Sequence, residues 1–186
     1  MKKTQENLLK AITGESLARN KYTFFAKQAR KEGLEWIARV FEETADNERA
    51  HAEEEHEQFK SDVVEMTNTY DMPKMGTTLE NLRHAAEGER HEWGEMYPDF
   101  KKVAEEEGEK EAATLFQEIL EVEEKHDERY TKLADLLEAG KLYEQEEEIE
   151  WKCLNCGYIH KGTKAPDPCP LCKKPKEWYM GIGIVR

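Results

Sequence analysis

Two Glu-x-x-His pairs carry the first chemical signal in this chain. Glu48 and His51 lie in "NERAHAEEEHEQ", and Glu123 and His126 lie in "EVEEKHDERY". Residues three apart share one face of a helix, so each pair aims a carboxylate and an imidazole at a common point. Oxygen and imidazole donors together suit iron or manganese. A second signal lies near the C-terminus. Cys153, Cys156, Cys169 and Cys172 form C-x2-C-x12-C-x2-C and are the only cysteines. Each C-x2-C can wrap backbone amides around thiolate sulfurs, and four thiolates make a tetrahedral metal site. Zinc and iron both accept four cysteines, and spacing alone favours zinc, in a structural ribbon.

The elements that position these donors follow from apolar periodicity. A helix is predicted over 4–31, with Leu8, Ala11, Glu15, Ala18, Tyr22, Phe25 and Ala29 on one seam. Gly33 turns the chain into a second helix, about 34–64, whose seam is Leu34, Ile37, Phe41, Glu48, His51, Glu55 and Phe59. The stretch "EMTNTYDMPKMGTT" (65–78) is rich in helix breakers and too long for a tight hairpin. Thr77 and Glu80 are placed for a capping box on a third helix, about 79–107. Its seam is Leu82, Ala86, Glu89, Glu92 or Trp93, Met96, Phe100 and Val103. Gly108 leads into a fourth helix, about 109–138, with Ala112, Leu115, Ile119, Glu123, His126, Tyr130, Leu133 and Leu137 inward. Two short turns around one long crossover describe a ferritin-like four-helix bundle. An acidic linker, "EQEEEIE", joins it to the cysteine module. The expected division is 1–140 for the bundle, 141–150 for the linker and 151–186 for the small metal module.

The halves of the bundle repeat. Tyr22, Phe25, Gly33, Phe41, Glu48 and His51 are spaced 3, 8, 8, 7 and 3 apart, and so are Tyr97, Phe100, Gly108, Phe116, Glu123 and His126. Gly14-Glu15 matches Gly88-Glu89 with one extra residue in the second half, which suggests a π-bulge near Glu92 and Trp93. Glu48 and Glu123 each follow their glycine turn by 15 residues, roughly 22 Å of helix. All four helices therefore bring acids to about one level.

Glu15, Glu48, Glu89, Glu92 and Glu123 would put five negative charges in one core. Burying a single unpaired carboxylate costs several kcal/mol. A pair of iron ions makes the cluster tolerable, and two Glu-x-x-His pairs with further helix-borne carboxylates are the pattern of di-iron and di-manganese bundles. Tyr22 and Tyr97 lie about two turns beyond Glu15 and Glu89, within reach of hydrogen bonds to the ligands, although plain core aromatics would fit the same positions. His56, His84 and His91 read as surface residues, and Glu53, Glu54 and Glu55 as solvated or flanking.

Composition narrows the class. Charged residues make up 37% of the 186, and the formal net charge is −13. Residues 151–186 hold a balance of +5, leaving −18 on residues 1–150. Net acidity argues against a nucleic-acid partner. The start "MKKTQENLLK" has no apolar signal region, and no segment is long enough for a bilayer, so a cytoplasmic protein is expected. There, paired C-x2-C motifs bind metal rather than form disulfides.

A four-cysteine module after a ferritin-like di-iron bundle resembles rubrerythrin. The resemblance rests on "GESLARNKY", "ERAH", "GERHEW", "EEKH" and "WKCLNCGY…CPLC", in the family's order and over nearly the whole chain. It implies a rubredoxin-like β/knuckle domain with one iron on Cys153, Cys156, Cys169 and Cys172, moving the metal expectation from zinc to iron. It implies two non-haem irons in the bundle. Glu48 and Glu123 match the bridging carboxylates, Glu15 a ligand of the first iron, and Glu89 with His126 ligands of the second. Glu92 and His51 match the alternative ligands of the first iron in the oxidised and reduced states. The implied activity is reduction of hydrogen peroxide in an anaerobe or microaerophile. Electrons would come from NAD(P)H through a separate reductase and often a rubredoxin. Family members form dimers that bring one chain's mononuclear iron near the other's di-iron site. One departure is Lys173 after Cys172, where a free rubredoxin has Gly, which predicts a looser or more solvent-exposed second knuckle. Two other readings remain at this stage: a ferroxidase or iron-storage bundle, and a peroxide sensor with a structural zinc ribbon.

Overall fold

The computed structural model describes residues 2–60, 64–70 and 72–185. Its helices between Lys3 and Glu138 build the predicted bundle, because apolar stripes at 3.6-residue spacing find partners in one another. Helices α1 (Lys3–Lys31) and α2 (Glu35–Gln58) form one antiparallel hairpin. The second hairpin has a compound first arm: α3 (Thr78–His91), a π-helical turn (Glu92–Met96) and α4 (Tyr97–Glu107). Its second arm is α5 (Lys110–Glu138). Gly33 and Gly108 turn the two hairpins at φ 81° and 75°, a left-handed conformation that costs glycine little. The crossover between hairpins holds no regular element among its described residues.

Helix ends explain the one boundary that differs. The predicted second helix runs to about 64, but α2 stops at Gln58 and Phe59 is extended. The side chain of Gln5 on α1 ends it. Its amide N–H donates to Gln58 O at 3.2 Å, and its Oε1 accepts from Lys60 N–H at 2.7 Å. Residues 61–63 of the predicted helix lie outside the described residues. Thr77 and Glu80 do form a capping box: the Thr77 hydroxyl accepts from Glu80 N–H, and Glu80 Oε2 accepts from Thr77 N–H at 2.7 Å.

The apolar core is split in two. Tyr22, Phe25, Trp36, Ile37, Phe41, Leu82, Tyr130 and Leu133 fill the end near Gly33. Leu8, Ala11, Tyr97, Ala104, Phe116 and Ile119 fill the end near Gly108. Every residue on the predicted seam of α1 is buried, Glu15 included. The layer of acids lies between these two apolar clusters.

The C-terminal module is a three-stranded antiparallel sheet in the order β2-β1-β3, with β1 at Glu144–Cys153, β2 at Ile159–Lys164 and β3 at Tyr179–Gly181. Trp151 on β1 sits opposite His160 and Gly181 and is fully buried. Leu154, Met180, Ile184 and Val185 pack on the apolar cluster near Gly33, docking the module at that end of its own bundle. Both knuckles close alike. Gly157 N–H donates to Cys153 O at 2.9 Å, and Lys173 N–H donates to Cys169 O at 3.0 Å. The predicted loosening of the second knuckle is therefore absent from its backbone: Lys173 adopts φ 63°, beside 76° for Gly157. A side chain in this left-handed region is strained by about 1–2 kcal/mol, part of which Gly loses to its freer unfolded chain. Lys173→Gly should therefore stabilise the module by about 0.5–1 kcal/mol, read as a higher guanidinium midpoint for loss of the metal–thiolate absorbance. An unchanged or lower midpoint would mean that the Lys173 Nζ bond to Pro170 O, 2.7 Å long, outweighs the strain.

Candidate metal centres

Each rod of the bundle delivers acid to the central layer. Glu15 comes from α1, Glu48 and His51 from α2, Glu89 from α3, and Glu123 and His126 from α5. Glu15, Glu48, Glu89 and Glu123 are almost wholly inaccessible to solvent. Their donor atoms form two overlapping groups. Glu15, Glu48, His51 and Glu123 place one atom each within 4.8 Å of one another, and so do Glu48, Glu89, Glu123 and His126. Glu48 and Glu123 belong to both groups. Glu92 opens the π-helical turn, is half-buried, and belongs to neither.

The orientation of these atoms tests whether cations fit. His51 Nδ1 stands 2.8 Å from Glu123 Oε1 and 3.0 Å from Glu48 Oε2. Yet His51 Nδ1, Glu123 Oε1, both oxygens of Glu48 and Glu15 Oε2 are buried without a hydrogen-bond partner. Donor atoms this close that do not bond one another converge on shared points between them. Unpaired buried acceptors are costly, and a divalent cation at each point would satisfy them. His126 Nδ1 is 2.6 Å from Glu123 Oε2 and 3.4 Å from Glu48 Oε1. The donor set, carboxylates with two imidazoles, fits a di-iron centre.

Neighbours orient the donors. Tyr22 on α1 donates its hydroxyl proton to Glu89 Oε1 on α3, and Tyr97 on α4 hydrogen-bonds Glu15 Oε1 on α1. The two bonds are related by the internal repeat. Asp127, beside His126, escaped the sequence reading because it lies off the predicted seam. It accepts from Arg90 at 2.6 and 3.0 Å and from the Trp93 indole at 3.1 Å. This clamp ties α3 and the π-helical turn to α5. Of the two readings offered for Glu55, flanking holds and solvated does not. Glu53 and Glu54 are exposed, but Glu55 is fully buried and 3.0 Å from the Tyr97 hydroxyl. Its place on the seam of α2 was the available signal. His56 and His91 are exposed as expected, and His84 is half-buried.

In the cysteine module, Cys153 Sγ and Cys172 Sγ are 3.6 Å apart, and Cys156 Sγ and Cys169 Sγ 3.8 Å. A metal with bonds of about 2.3 Å to four sulfurs needs a tetrahedron with edges of about 3.8 Å. All four thiols are free of disulfides and lie within 4.8 Å of one another. Burial pushes the Cys169 thiol up, but the Cys172 backbone N–H and other donors outweigh it and hold it at about 6. A thiol that ionises this readily is suited to bind metal.

Fold and donors together define a class: a ferritin-like bundle with a dinuclear carboxylate centre, joined to a rubredoxin-like four-cysteine centre. The rubrerythrin family model matches residues 6–134, and the model for the rubrerythrin rubredoxin-like domain matches residues 151–180. The chain belongs to the rubrerythrin family. It is 46% identical to a rubrerythrin of Porphyromonas gingivalis over 95% of this chain and 88% of that one. It is 40% identical to a rubrerythrin of Nitratidesulfovibrio vulgaris over 98% and 95%. Among solved structures, mixed-valence nigerythrin is similar at a TM-score of 0.65, with 38% identity over 96% of this chain and 86% of that one. The donor sets and family together fit two irons in the bundle and one on the four cysteines, with an oxidoreductase character. Among the described residues, no helix is long and apolar enough to cross a membrane.

Proton affinities in the central layer give a pH signature. Burial first, then neighbouring carboxylates, pushes Glu15, Glu48 and Glu89 well above the usual carboxylate range. Burial and the Glu123 charge push Glu92 up to about 8. Burial alone would lower His51, but the adjacent Glu123 carboxylate outweighs it and raises the imidazole to about 9. Burial likewise opposes the charge on Glu123, yet His126 and His51 hold it at about 2. Without metal, the folded chain thus holds protons on glutamates and His51 that the unfolded chain has released. Stability contributed by these groups is full below their unfolded values of 4.5 and 6.5 and is lost as pH rises through about 8 and 9. Glu123 has the opposite sign and matters only below pH 4.5. Bound cations replace the protons and flatten this slope. The Tm of chelator-treated protein should fall between about pH 5 and 9 while that of iron-loaded protein stays nearly level. A level metal-free profile would mean that these carboxylates do not hold protons in the folded core.

Proposed function

We propose that this chain is a non-haem di-iron peroxidase that reduces hydrogen peroxide to water. The observation that carries the reading is the pair of overlapping donor groups sharing Glu48 and Glu123, in one chain with a four-cysteine metal site. In this reading Glu48 and Glu123 span both metal positions, Glu15 and His51 hold the first, and Glu89 and His126 hold the second. In this reading the bundle spans 1–140 and the rubredoxin-like domain 151–186, and the 141–150 linker between them already carries the start of β1. When bound, a ferrous pair supplies two electrons and the Lewis acidity for cleaving the O–O bond.

The chain's own residues organise that chemistry. The two apolar clusters exclude water from either side of the acid layer, so charge developing there is weakly screened. Tyr22 and Tyr97 fix the rotation of Glu89 and Glu15. His51 stands in the first donor group while Glu92 stands outside it. The family resemblance makes His51 the ligand of the first position in the reduced state and Glu92 its alternative in the oxidised state. The π-helical turn supports this exchange, because its extra residue takes Glu92 out of the regular helical register, while the Asp127 clamp holds the neighbouring Trp93.

Cys153, Cys156, Cys169 and Cys172 hold the electron-entry point. Their module packs near Gly33, and Glu48 lies 15 residues away, roughly 22 Å along the helix. A partner chain's module offers a shorter route, so the working unit is a homodimer or larger homo-oligomer. The basic module and the acidic bundle attract across such an interface. The donor is a rubredoxin or an NAD(P)H-dependent reductase, in the cytoplasm. A storage bundle has no use for the cysteine module, so the peroxidase reading stands ahead of it.

Stopped-flow absorption tests the reading. Iron-loaded protein, reduced without oxygen and mixed with two equivalents of hydrogen peroxide, enough to oxidise all three irons, should regain its Fe–thiolate colour rapidly. Slow or absent return would uncouple the sites and favour storage or sensing. His51→Ala should keep the fold and slow peroxide oxidation by at least about tenfold, whereas unchanged kinetics would remove His51 from the exchange.

A further inference from the structure

One buried ionisable group has no place in the mechanism above. Glu55 is fully buried on α2, one turn beyond His51, and its Oε2 has no hydrogen-bond partner. Its Oε1 lies 3.0 Å from the Tyr97 hydroxyl, which also bonds Glu15 Oε1. A phenol has a single hydrogen to donate. Three oxygens in a row, Glu15–Tyr97–Glu55, therefore need two hydrogens to make two bonds. A carboxylate that binds a cation carries no proton. With Glu15 in that role, Tyr97 donates to Glu15, and the second hydrogen belongs to Glu55.

We propose that Glu55 is a neutral carboxylic acid that holds a proton in reserve for peroxide reduction, delivered through the Tyr97 hydroxyl to the Glu15 side of the metal centre. The proposal rests on the peroxidase reading and deepens it. Reduction of one hydrogen peroxide to two waters breaks the O–O bond and takes two electrons and two protons. The reduced metal pair supplies both electrons. One proton passes from Glu55 to the Tyr97 oxygen as the Tyr97 proton passes to the Glu15 side and on to a departing oxygen. Solvent supplies the second proton from the side of the half-buried Glu92, which lines a cavity, and recharges Glu55 by the reverse path through the Tyr97 hydroxyl.

The surroundings support a neutral Glu55. Burial pushes it well above the usual carboxylate range, more than its hydrogen bond from Tyr97 lowers it. The charged groups facing it are Glu15 on α1, His51 on its own helix, Glu92 in the π-helical turn and Glu123 on α5. Among these only His51 favours ionisation. Apolar side chains of the cluster around Tyr97 close the Gly108 end. The internal repeat sharpens the argument. Adding the repeat offset, which carries His51 to His126, takes Glu55 to Tyr130. Tyr130 packs 5.4 Å from the ring of Tyr22, and its hydroxyl has no partner. A phenol is a far weaker acid than a carboxyl group. The acid therefore serves only the half of the site containing Glu15, His51 and Glu92, where the ligand exchange falls.

Infrared spectroscopy on the iron-loaded full chain tests where the proton sits. The wild-type minus Glu55→Gln difference should contain one carbonyl stretch of an unionised carboxylic acid, shifted by exchange into D2O. Glu55→Gln is isosteric and should keep iron content and Fe–thiolate colour unchanged. It should slow peroxide oxidation of the reduced protein about 100-fold. Tyr97→Phe should slow it to a similar degree while keeping the infrared band, and the double variant should be no slower than either single one. Absence of the band, or wild-type rates in Glu55→Gln, overturns the proposal. Loss of iron in Glu55→Gln also overturns it, because Glu55 would then be a ligand. Should the wild type fail to react with peroxide, the peroxidase reading falls, and the band still decides whether Glu55 holds the proton.

Discussion

Carboxylates in the middle of a helical bundle are the constraint to which the rest of this structure answers. Glu15, Glu48, Glu89 and Glu123 are as inaccessible as the leucines around them. Several of their oxygens have no hydrogen-bond partner in the protein. Water cannot relieve them, because apolar clusters close both ends. Protons or cations have to sit among them, and the inward convergence of four rods decides where. The bundle is thereby less stable alone than its apolar packing suggests, and metal binding becomes part of its folding energy.

The internal repeat gives the site an approximate twofold symmetry, and the departures from it divide the labour. Tyr22 and Tyr97 cross over to serve acids in the opposite half. The π-helical turn exists in the second half alone, where it frees Glu92 from the regular helical register. Where one half has Glu55, the equivalent position in the other has Tyr130. The tyrosine bonds follow the repeat, whereas the π-helical turn and Glu55 break it.

The two modules are joined by more than a linker. The cysteine domain docks through Leu154, Met180, Ile184 and Val185 on the apolar end of its own bundle. That fixes its knuckles relative to the rods. Charge works in the same direction, with −18 on the first 150 residues and +5 on the last 36.

Much of this was legible in the chain itself. Apolar spacing set four helical rods, because a helix can bury only one stripe. Two Glu-x-x-His pairs in register named the dinuclear centre, because positions three apart share a face. C-x2-C spacing named the second centre, because the knuckle is a local turn. Even the π-helical turn showed as one surplus residue between Glu89 and Tyr97. Long-range contacts were illegible. Gln5 ends α2 from another helix, Asp127 gathers Arg90 and Trp93 from the opposite rod, and Glu55 meets Tyr97 across the bundle. Sequence periodicity reports which face of an element turns inward. Which partner waits there depends on how the elements pack, so only the tertiary structure decided that Glu55 is buried against Tyr97 rather than solvated among its acidic neighbours.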